Sequence, residues 1–203
     1  MMKRFLIVTV LVLGAAALFF RGASATTTPV AIPIFNPRFD IDILTCSPGS
    51  NCAQNGITGW IVGPGTDVAK FSKTQYPHAP STGVFVAAIG NTSTSGSILQ
   101  NLSATVQANT TYTLTVELGA REDYAFTGYT VTLGAGNVSL ATGNTATPVG
   151  GSFVTDTVTY ESGATPAQLG QPLQILITSS GTSSGTGQVD IEDVTLTAAP
   201  TAP

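Results

Sequence analysis

The sequence predicts an all-β protein, a single-domain β-sandwich of about eight to ten antiparallel strands. Helical signals are nearly absent after residue 25, whereas Thr, Val, Gly and Ser dominate and apolar residues recur with a period of two. Short turn-forming stretches such as Gly63-Pro64-Gly65 separate the strand candidates, and none is long enough for an interdomain linker. Many short strands within one domain's length favour two packed sheets, as in a jelly roll.

The strands themselves are predicted by alternation along the chain. The clearest begins at Thr111 and ends at Leu118, because its apolar side chains face a core while its threonines and Glu117 face outward. In chain order, the predicted strands are Ile32–Phe35, Trp60–Val62, Val84–Ile89, Ser97–Leu102, Thr111–Leu118, Tyr129–Leu133, Val138–Ala141, Phe153–Tyr160, Leu173–Thr178 and Val189–Leu196. The single tryptophan, Trp60, is flanked by apolar residues and is interpreted as a core anchor rather than a sugar platform.

The N-terminal segment 1–25 has the pattern of an export signal. Two basic residues precede an uncharged apolar run, and Ala23-Ser24-Ala25 forms an A-x-A cleavage site. The run is short for a membrane-spanning helix, so cleavage before Thr26 is favoured over an uncleaved anchor. We therefore expect a secreted or periplasmic protein without a membrane anchor, with its jelly-roll domain at 26–197 and a disordered tail at 198–203.

The charge balance excludes two classes of partner. Cleavage of the signal would leave four basic residues against eleven acidic ones, and the last basic residue is Arg121. Nucleic acids and anionic membrane surfaces are bound by clusters of Lys and Arg. No such cluster is present in the sequence, so neither partner is expected.

Cys46 and Cys52 are the only cysteines, and they enclose the turn-forming residues Ser-Pro-Gly-Ser-Asn. In an oxidising compartment such a pair is expected to form a small-loop disulfide. By the loop-entropy model, a ring this short contributes about 2 kcal/mol, enough to stiffen one loop. A redox or zinc role is disfavoured, since there is neither C-x-x-C spacing nor a nearby histidine.

Near the C-terminus, three carboxylates fall within four residues of a chain that is otherwise poor in charge. They are Asp190, Glu192 and Asp193. Alternation places Asp190 and Glu192 on one strand face unless a bulge intervenes. A hard cation such as calcium would neutralise them and accept further oxygens from the acidic segment of Asp40 and Asp42. A solvated sheet face and a proton-transfer role are the alternatives.

Two further segments carry candidate ligand-binding residues. The loop 70–78 contains Tyr76 and His78, and it is expected to offer exposed aromatic faces beside polar donors, the combination that binds sugar rings. An ordinary loop is the alternative. Arg121 follows a well-patterned strand and stands close to Asp123, so it is either a surface ion pair or a ligand-facing residue.

Several local patterns, in this order and spacing, resemble a family of secreted bacterial proteins with a galactose-binding-like, carbohydrate-binding-module-like jelly roll. The resemblance covers most of the chain after the signal. It rests on Asn36-Pro37-Arg38-Phe39-Asp40, Gly59-Trp60, Thr110-Thr-Tyr-Thr-Leu114, Gly119-Ala-Arg121-Glu-Asp123, Gly128-Tyr129, Leu169-Gly-Gln-Pro-Leu173 and Ile191-Glu-Asp-Val194.

This resemblance implies that the first and last strands lie close together. Modules of this kind commonly hold a structural calcium there. The residues that would hold it in this sequence are Asp40 and Glu192 or Asp193.

The same group is similar to the calcium-dependent Stig cyclases, which rearrange and cyclise terpenoid indoles in a jelly-roll dimer using an acidic residue on a late strand. If that likeness extends to function, Asp190 is the acid and the protein forms a homodimer. Tyr124 and Phe126 would then supply aromatic walls, because ring faces stabilise a carbocation-like intermediate.

Three hypotheses of function follow. The leading one is a secreted, calcium-stabilised module that binds a glycan or another extracellular polymer. The second is a cyclase of a small apolar substrate with Asp190 as general acid, and the third is a structural or adhesive matrix protein. The cyclase requires a closed apolar cavity with Asp190 pointing into it, whereas the glycan binder requires an open groove with aromatic and amide groups.

Overall fold

The computed structural model describes residues 28–47, 50–79, 83–90, 95–180 and 187–201. The predicted export signal lies outside these residues. The described chain contains twelve strands and no helix. The strands are β1 (Val30–Ala31), β2 (Cys52–Asn55), β3 (Ile61–Val62), β4 (Thr66–Phe71), β5 (Val84–Ile89), β6 (Ser97–Thr105), β7 (Thr110–Ala120), β8 (Tyr129–Ala135), β9 (Val138–Gly143), β10 (Ser152–Glu161), β11 (Pro172–Ser179) and β12 (Val189–Pro200).

The strands form two antiparallel sheets, which confirms the predicted all-β sandwich. One sheet has seven strands in the order β10-β7-β12-β5-β4-β2, with β1 also paired to β12. The other has five strands in the order β3-β6-β11-β8-β9. Strands distant in sequence are neighbours in both sheets, as expected of a jelly roll, and the last strand occupies the middle of the larger sheet.

The main core lies between the sheets and is built from the alternate apolar residues that the sequence predicted. Tyr112, Leu114, Val116 and Leu118 of β7 are all buried there. Trp60 is also part of this core, and its indole N–H donates to the Asn36 carbonyl over 3.1 Å. The prediction of Trp60 as a core anchor is therefore confirmed.

The predicted elements differ from the observed ones in the first strand, in two strands that were not predicted and at the C-terminal end. The first strand is Val30–Ala31, and Ile32–Phe35 is irregular because the chain turns at the next residues. Strands β2 and β4 were not predicted, since the polar residues of both make them look like connectors. The expected tail beginning at 198 is in strand as far as Pro200, because Ala198 pairs with Tyr112 and Pro200 with Thr110.

The turn at residues 36–39 brings the start of the chain against the last strand. Asn36 and Phe39 have positive φ angles of 50° and 59°, which make a tight reversal. The backbone N–H of Val194 donates to the carbonyl of Pro37 over 3.1 Å. The proximity of the first and last segments is thus a feature of the fold.

Cys46 and Cys52 form a disulfide, as predicted. Their ring closes at the first residue of β2. In the ranges described, no helix of sufficient length and apolarity to span a membrane is found.

Candidate active site

The outer face of the seven-stranded sheet carries a second, smaller core. It consists of apolar residues from β4 and β5 together with Tyr76 and Ala79, and Phe153 of β10 packs against it. The loop that contains Tyr76 folds over the sheet and is attached at its middle, because the N–H of Glu122 donates to the Gln75 carbonyl over 3.1 Å. This loop turns part of an outer sheet face into a covered site.

Asp190 lies under that loop and is buried, with 1% of its surface exposed. The Tyr76 hydroxyl donates to Asp190 Oδ2 over 2.5 Å, and the Gln188 side-chain amide donates to Asp190 Oδ1. Burial raises the pKa of Asp190 to about 6, although the hydrogen bonds from Tyr76 and Gln188 and the charge of Arg121 act in the opposite direction. Asp190 is therefore more readily protonated than an aspartate in water.

Tyr76 is held in its proton-donating form. Burial raises the pKa of its hydroxyl, and the adjacent Asp190 carboxylate raises it further. The Tyr76 ring stacks on Phe153 with 4.4 Å between the ring centroids. Tyr76 thus contacts Asp190 through its hydroxyl and an aromatic partner through its face.

Gly119 makes room for this arrangement. On β7 it stands between Asp190 of β12 and Phe153 of β10, its two register partners. A Cβ atom at Gly119 would lie 2.5 Å from the Tyr76 hydroxyl oxygen and 2.5 Å from the Phe153 ring. Any larger residue would displace the tyrosine from Asp190.

Arg121 is linked to Asp190 through the side chain of Gln188. Its guanidinium donates to Asp123 over 2.8 and 2.6 Å and to Gln188 Oε1 over 3.3 Å. It also lies 4.3 Å from the ring centroids of both Phe71 and Tyr124. Partial burial works against the ionised form of Asp123, but hydrogen bonds from Arg121 and Gln75 lower its pKa.

A cavity of about 420 Å³ adjoins the covered site. Its walls are partly apolar and partly charged. The apolar wall is formed by Tyr76, Val84, Phe85 and Phe153, and the polar rim by His78 and the charged residues Arg38, Asp40 and Glu192. Asp190 does not line this cavity itself, because Tyr76 stands between its carboxyl group and the open space.

The structure separates the predicted ligand-binding residues. Tyr76 and His78 both line the cavity, but the expectation of exposed aromatic faces in loop 70–78 is wrong, since Phe71 and Tyr76 are only 5% and 1% exposed. Tyr124 covers the Arg121 guanidinium. Phe126 packs edge-on against Tyr129, 6.0 Å between centroids, on the main core.

These three residues, Arg121, Tyr124 and Phe126, are not among the residues that line the cavity. Arg121 makes the ion pair that was one of its two predicted roles. The aromatic wall near Asp190 comes instead from Phe153, a strand residue that the sequence analysis did not single out.

The acidic segment is divided by a β-bulge. The register of β12 against β7 shifts between Ile191 and Asp193, so Ile191 and Val194 both reach the main core. Glu192 stands at the shift, half-buried, and accepts a hydrogen bond from Arg38 over 3.1 Å. Its pKa is raised by burial against the opposing charge of Arg38. Asp190 and Glu192 therefore occupy different environments.

Calcium was predicted at Asp40, Glu192 and Asp193. Within the described ranges, no three His, Cys, Asp or Glu residues are grouped closely enough to hold a metal ion. Glu192 already has a cationic partner in Arg38. One observation does favour a cation near this turn, since Asn36 Oδ1 is a buried oxygen without a hydrogen-bond partner.

Two positions of this site carried a signal in the sequence. A glycine within a strand often marks the close approach of another group, which is the role of Gly119. Gln188 adjoins the acidic segment, and a buried amide is a common partner for a carboxylate. Phe153 gave no signal beyond its place in a strand, because its partner Tyr76 comes from a loop.

Taken together, the site defines a class of protein: a β-sandwich with a buried, protonatable acid behind a small, largely apolar cavity on one sheet face. The family model of HpiC1-like cyclases (HpiC1 cyclase) matches residues 30–197. The chain therefore belongs to the HpiC1-like cyclase family. No curated protein sequence matches it significantly.

Solved structures agree with this assignment. The chain is 28% identical to the Stig cyclase Fisc from Fischerella sp. TAU, solved with (3Z)-3-(1-methyl-2-pyrrolidinylidene)-3H-indole, with a TM-score of 0.72 over 86% of this chain and 100% of that one. A cyclase from the same organism, in complex with 4-(1H-indol-3-yl)butan-2-one, is also 28% identical, with a TM-score of 0.71 and the same coverage.

Similarity to carbohydrate-binding modules is more distant. TmCBM61, solved with β-1,4-galactotriose, is 13% identical, with a TM-score of 0.51 over 81% of this chain and 97% of that one. That likeness concerns the fold alone. The comparisons thus favour the second hypothesis of the sequence analysis over its leading one.

Proposed function

We propose that the protein is an enzyme that cyclises a small apolar substrate of the terpenoid indole class, with Asp190 and Tyr76 as its acid. The observation that carries the proposal is the 2.5 Å hydrogen bond between the buried Asp190 and the cavity-lining Tyr76. Family membership supports the same activity. A pair of this kind brings a proton from a buried acid to the wall of the cavity.

The proton path follows from the hydrogen bonds. When Asp190 is protonated, its proton lies on Oδ2, because Oδ1 accepts from Gln188. Asp190 then donates to the Tyr76 oxygen, which leaves the Tyr76 O–H free to donate into the cavity. Transfer of both protons in one step protonates the substrate and leaves Asp190 ionised, and loss of a substrate proton back along the path completes an isomerisation.

The cavity suits a cationic, apolar intermediate. The stacked rings of Tyr76 and Phe153 present aromatic surface, which attracts positive charge. The Glu192 carboxylate on the rim adds negative charge, and its partner Arg38 offsets part of it. An indole ring fits this wall, whereas a glycan would find few amide groups among the lining residues.

Calcium forms part of the proposal as a structural ion only. The orphaned Asn36 Oδ1 and the Asp40 carboxylate would contribute oxygens from the first turn, and Asp193 is the candidate ligand on β12. Bound there, the ion would fix the turn that supports the cavity rim.

We also propose export to the periplasm or beyond, from the N-terminal pattern, and a homodimer, which light scattering tests.

The proposal is tested with two ligands and one reaction. Nuclear magnetic resonance titration with 4-(1H-indol-3-yl)butan-2-one is expected to move the ring signals of Tyr76 and Phe153, whereas β-1,4-galactotriose leaves them unchanged. Incubation with indoles that carry terpenoid chains should yield cyclic products of unchanged mass, and Asp190→Asn should abolish them. Binding of the galactotriose but not the indole, or turnover unaffected by Asp190→Asn, would refute the proposal.

A further inference from the structure

Arg121 donates a hydrogen bond to the Gln188 side chain, which in turn donates to Asp190. Gln188 is itself buried, and its backbone N–H donates to the Ala125 carbonyl over 3.0 Å. Its side-chain amide joins two groups of opposite charge: the NH2 end meets Asp190, and the oxygen end meets Arg121.

Only one orientation of this amide satisfies both neighbours. If the amide were rotated by half a turn, its oxygen would face the Asp190 carboxylate and its NH2 group would face the guanidinium. Both contacts would be repulsive. Arg121 therefore fixes the end of Gln188 that faces Asp190.

Arg121 is unusually well held for this task. Asp123 binds it through two oxygens, and the rings of Phe71 and Tyr124 cover its two faces at 4.3 Å. A planar fork bound on three sides has little freedom to turn. Its remaining contact, to Gln188, is accordingly fixed in space.

We propose that Gln188 and Arg121 are positioning residues that determine which oxygen of Asp190 faces Tyr76. By donating to Oδ1, Gln188 reserves Oδ2 for the exchange of a proton with the tyrosine. Arg121 makes no hydrogen bond to Asp190. It acts on the orientation of the carboxyl group through Gln188, and its charge separately lowers the pKa of Asp190. The catalytic consequence rests on the proposed function, whereas the orientation of Asp190 does not.

The neutral amide between the two charges also has a physical purpose. A guanidinium in direct contact with Asp190 would form an ion pair and strongly favour the carboxylate. The interposed Gln188 retains the orienting effect of Arg121 while leaving Asp190 able to take up a proton. A direct contact would orient Asp190 equally well but would keep it ionised.

The first experiment measures turnover of a terpenoid indole. Gln188→Met and Arg121→Met should each lower kcat about 10- to 100-fold and leave KM nearly unchanged, because a small misplacement of a reacting group has effects of that size and neither residue lines the cavity. The double variant should lose no more than either single one. Gln100→Met, which removes a similarly buried glutamine from the other sheet, should keep kcat.

A second variant tests the N–H donor of Gln188 separately from its contact with Arg121. Gln188→Glu keeps the contact with Arg121 but brings no N–H donor to Asp190, and it should lose kcat as Gln188→Met does. Wild-type kcat in Gln188→Glu, or full additivity of the Arg121 and Gln188 effects, would overturn the proposal.

A spectroscopic readout separates this proposal from the proposed function. In protein labelled with 13C at the aspartate carboxyl carbons, the Asp190 signal is identified by its loss in Asp190→Asn. At pH 4, where Asp190 of the folded protein is protonated with or without Arg121, this signal should move in Gln188→Met and Arg121→Met and stay in place in Gln100→Met. An Asp190 signal unchanged by Arg121→Met would refute the positioning role even in a protein that cyclises nothing.

Discussion

Replacement of Asp190 by asparagine tests the acid separately from the fold. The asparagine side chain is close in shape to a protonated aspartic acid: its oxygen accepts from Gln188 and its NH2 group donates to Tyr76, as the acid does in its neutral form. The substitution removes the negative charge and the exchangeable proton but retains both hydrogen bonds. We expect a folded, inactive protein.

The size of the effect follows from the pKa. Burial raises the pKa of Asp190 from 3.8 to about 6, and each unit corresponds to about 1.36 kcal/mol, so ionisation of this group in the folded protein costs about 3 kcal/mol. Below pH 3.8 the group is neutral in both states and the cost is absent. Between pH 3.8 and 6 the unfolded chain loses the proton first, so stability falls as pH rises.

Above pH 6 the full cost is present, and asparagine does not incur it. The free energy of unfolding of Asp190→Asn, relative to the wild type, is therefore expected to increase by about 2 kcal/mol between pH 4 and pH 7, because at pH 4 the unfolded carboxyl group is already more than half ionised. Urea denaturation at half-unit pH intervals measures this difference, and a chelator keeps calcium constant. The comparison cancels the other carboxyl groups, including Asp123.

Two results would refute this reasoning. A difference in stability that does not change between pH 4 and pH 7 would mean that Asp190 has an ordinary pKa. A difference of opposite sign would mean that the folded protein stabilises the carboxylate, as an ion pair or a bound cation would. In either case the buried acid would not be the proton donor.

The other predictions concern the surroundings of Asp190. Tyr76→Phe should lower kcat about 100-fold or more while preserving the stack on Phe153. The matched variant Tyr112→Phe loses the 2.7 Å hydrogen bond that the Gln107 N–H donates to the Tyr112 hydroxyl, and it should lose stability but keep kcat. Equal losses of activity in both variants would argue against the proton relay through Tyr76. Gly119→Ala should destabilise the fold by about 1–3 kcal/mol and abolish turnover. Gly163→Ala, where an added Cβ meets nothing within 4 Å, should change neither stability nor turnover. Unchanged stability and turnover in Gly119→Ala would show that Tyr76 is free to move. Millimolar calcium should raise Tm above its value in chelator, an effect reduced in Asp193→Asn but not in Glu161→Gln, and no change in Tm would exclude a calcium site.

The main core was predictable because it depends on alternation alone. In β7, every second side chain is apolar, and the structure buries those side chains between the sheets. Trp60 was identified for the same reason. These features are local in sequence, since a strand that covers a core carries its own pattern.

The outer face was not predictable in this way. Strand β4 contains Asp67 and Lys70, so its alternation is obscured, and the loop after it was expected to lie in water. The structure folds that loop back over the sheet and buries Tyr76 against Phe153. This contact could not be predicted from either segment alone, because it joins a loop and a strand about 77 residues apart.

For Asp190, the structure gives the surroundings that the sequence left open. The sequence identified it as a candidate acid but left open whether it meets water, a cation or a cavity. The register of β12 and the space at Gly119 resolve this, because together they put Tyr76 over its carboxyl group. The bulge after Ile191 then separates Asp190 from Glu192.

The energetic cost of burying Asp190 argues for a role in proton transfer rather than in stabilising the fold. Asparagine would make the same hydrogen bonds to Gln188 and Tyr76, without the cost of about 3 kcal/mol at neutral pH. That cost is a sizeable part of the roughly 5–15 kcal/mol by which domains are stable. A group of purely structural role gains nothing from it, whereas an acid with a pKa near 6 requires the burial that produces the cost. Activity at the expense of stability is the expected compromise at a catalytic acid.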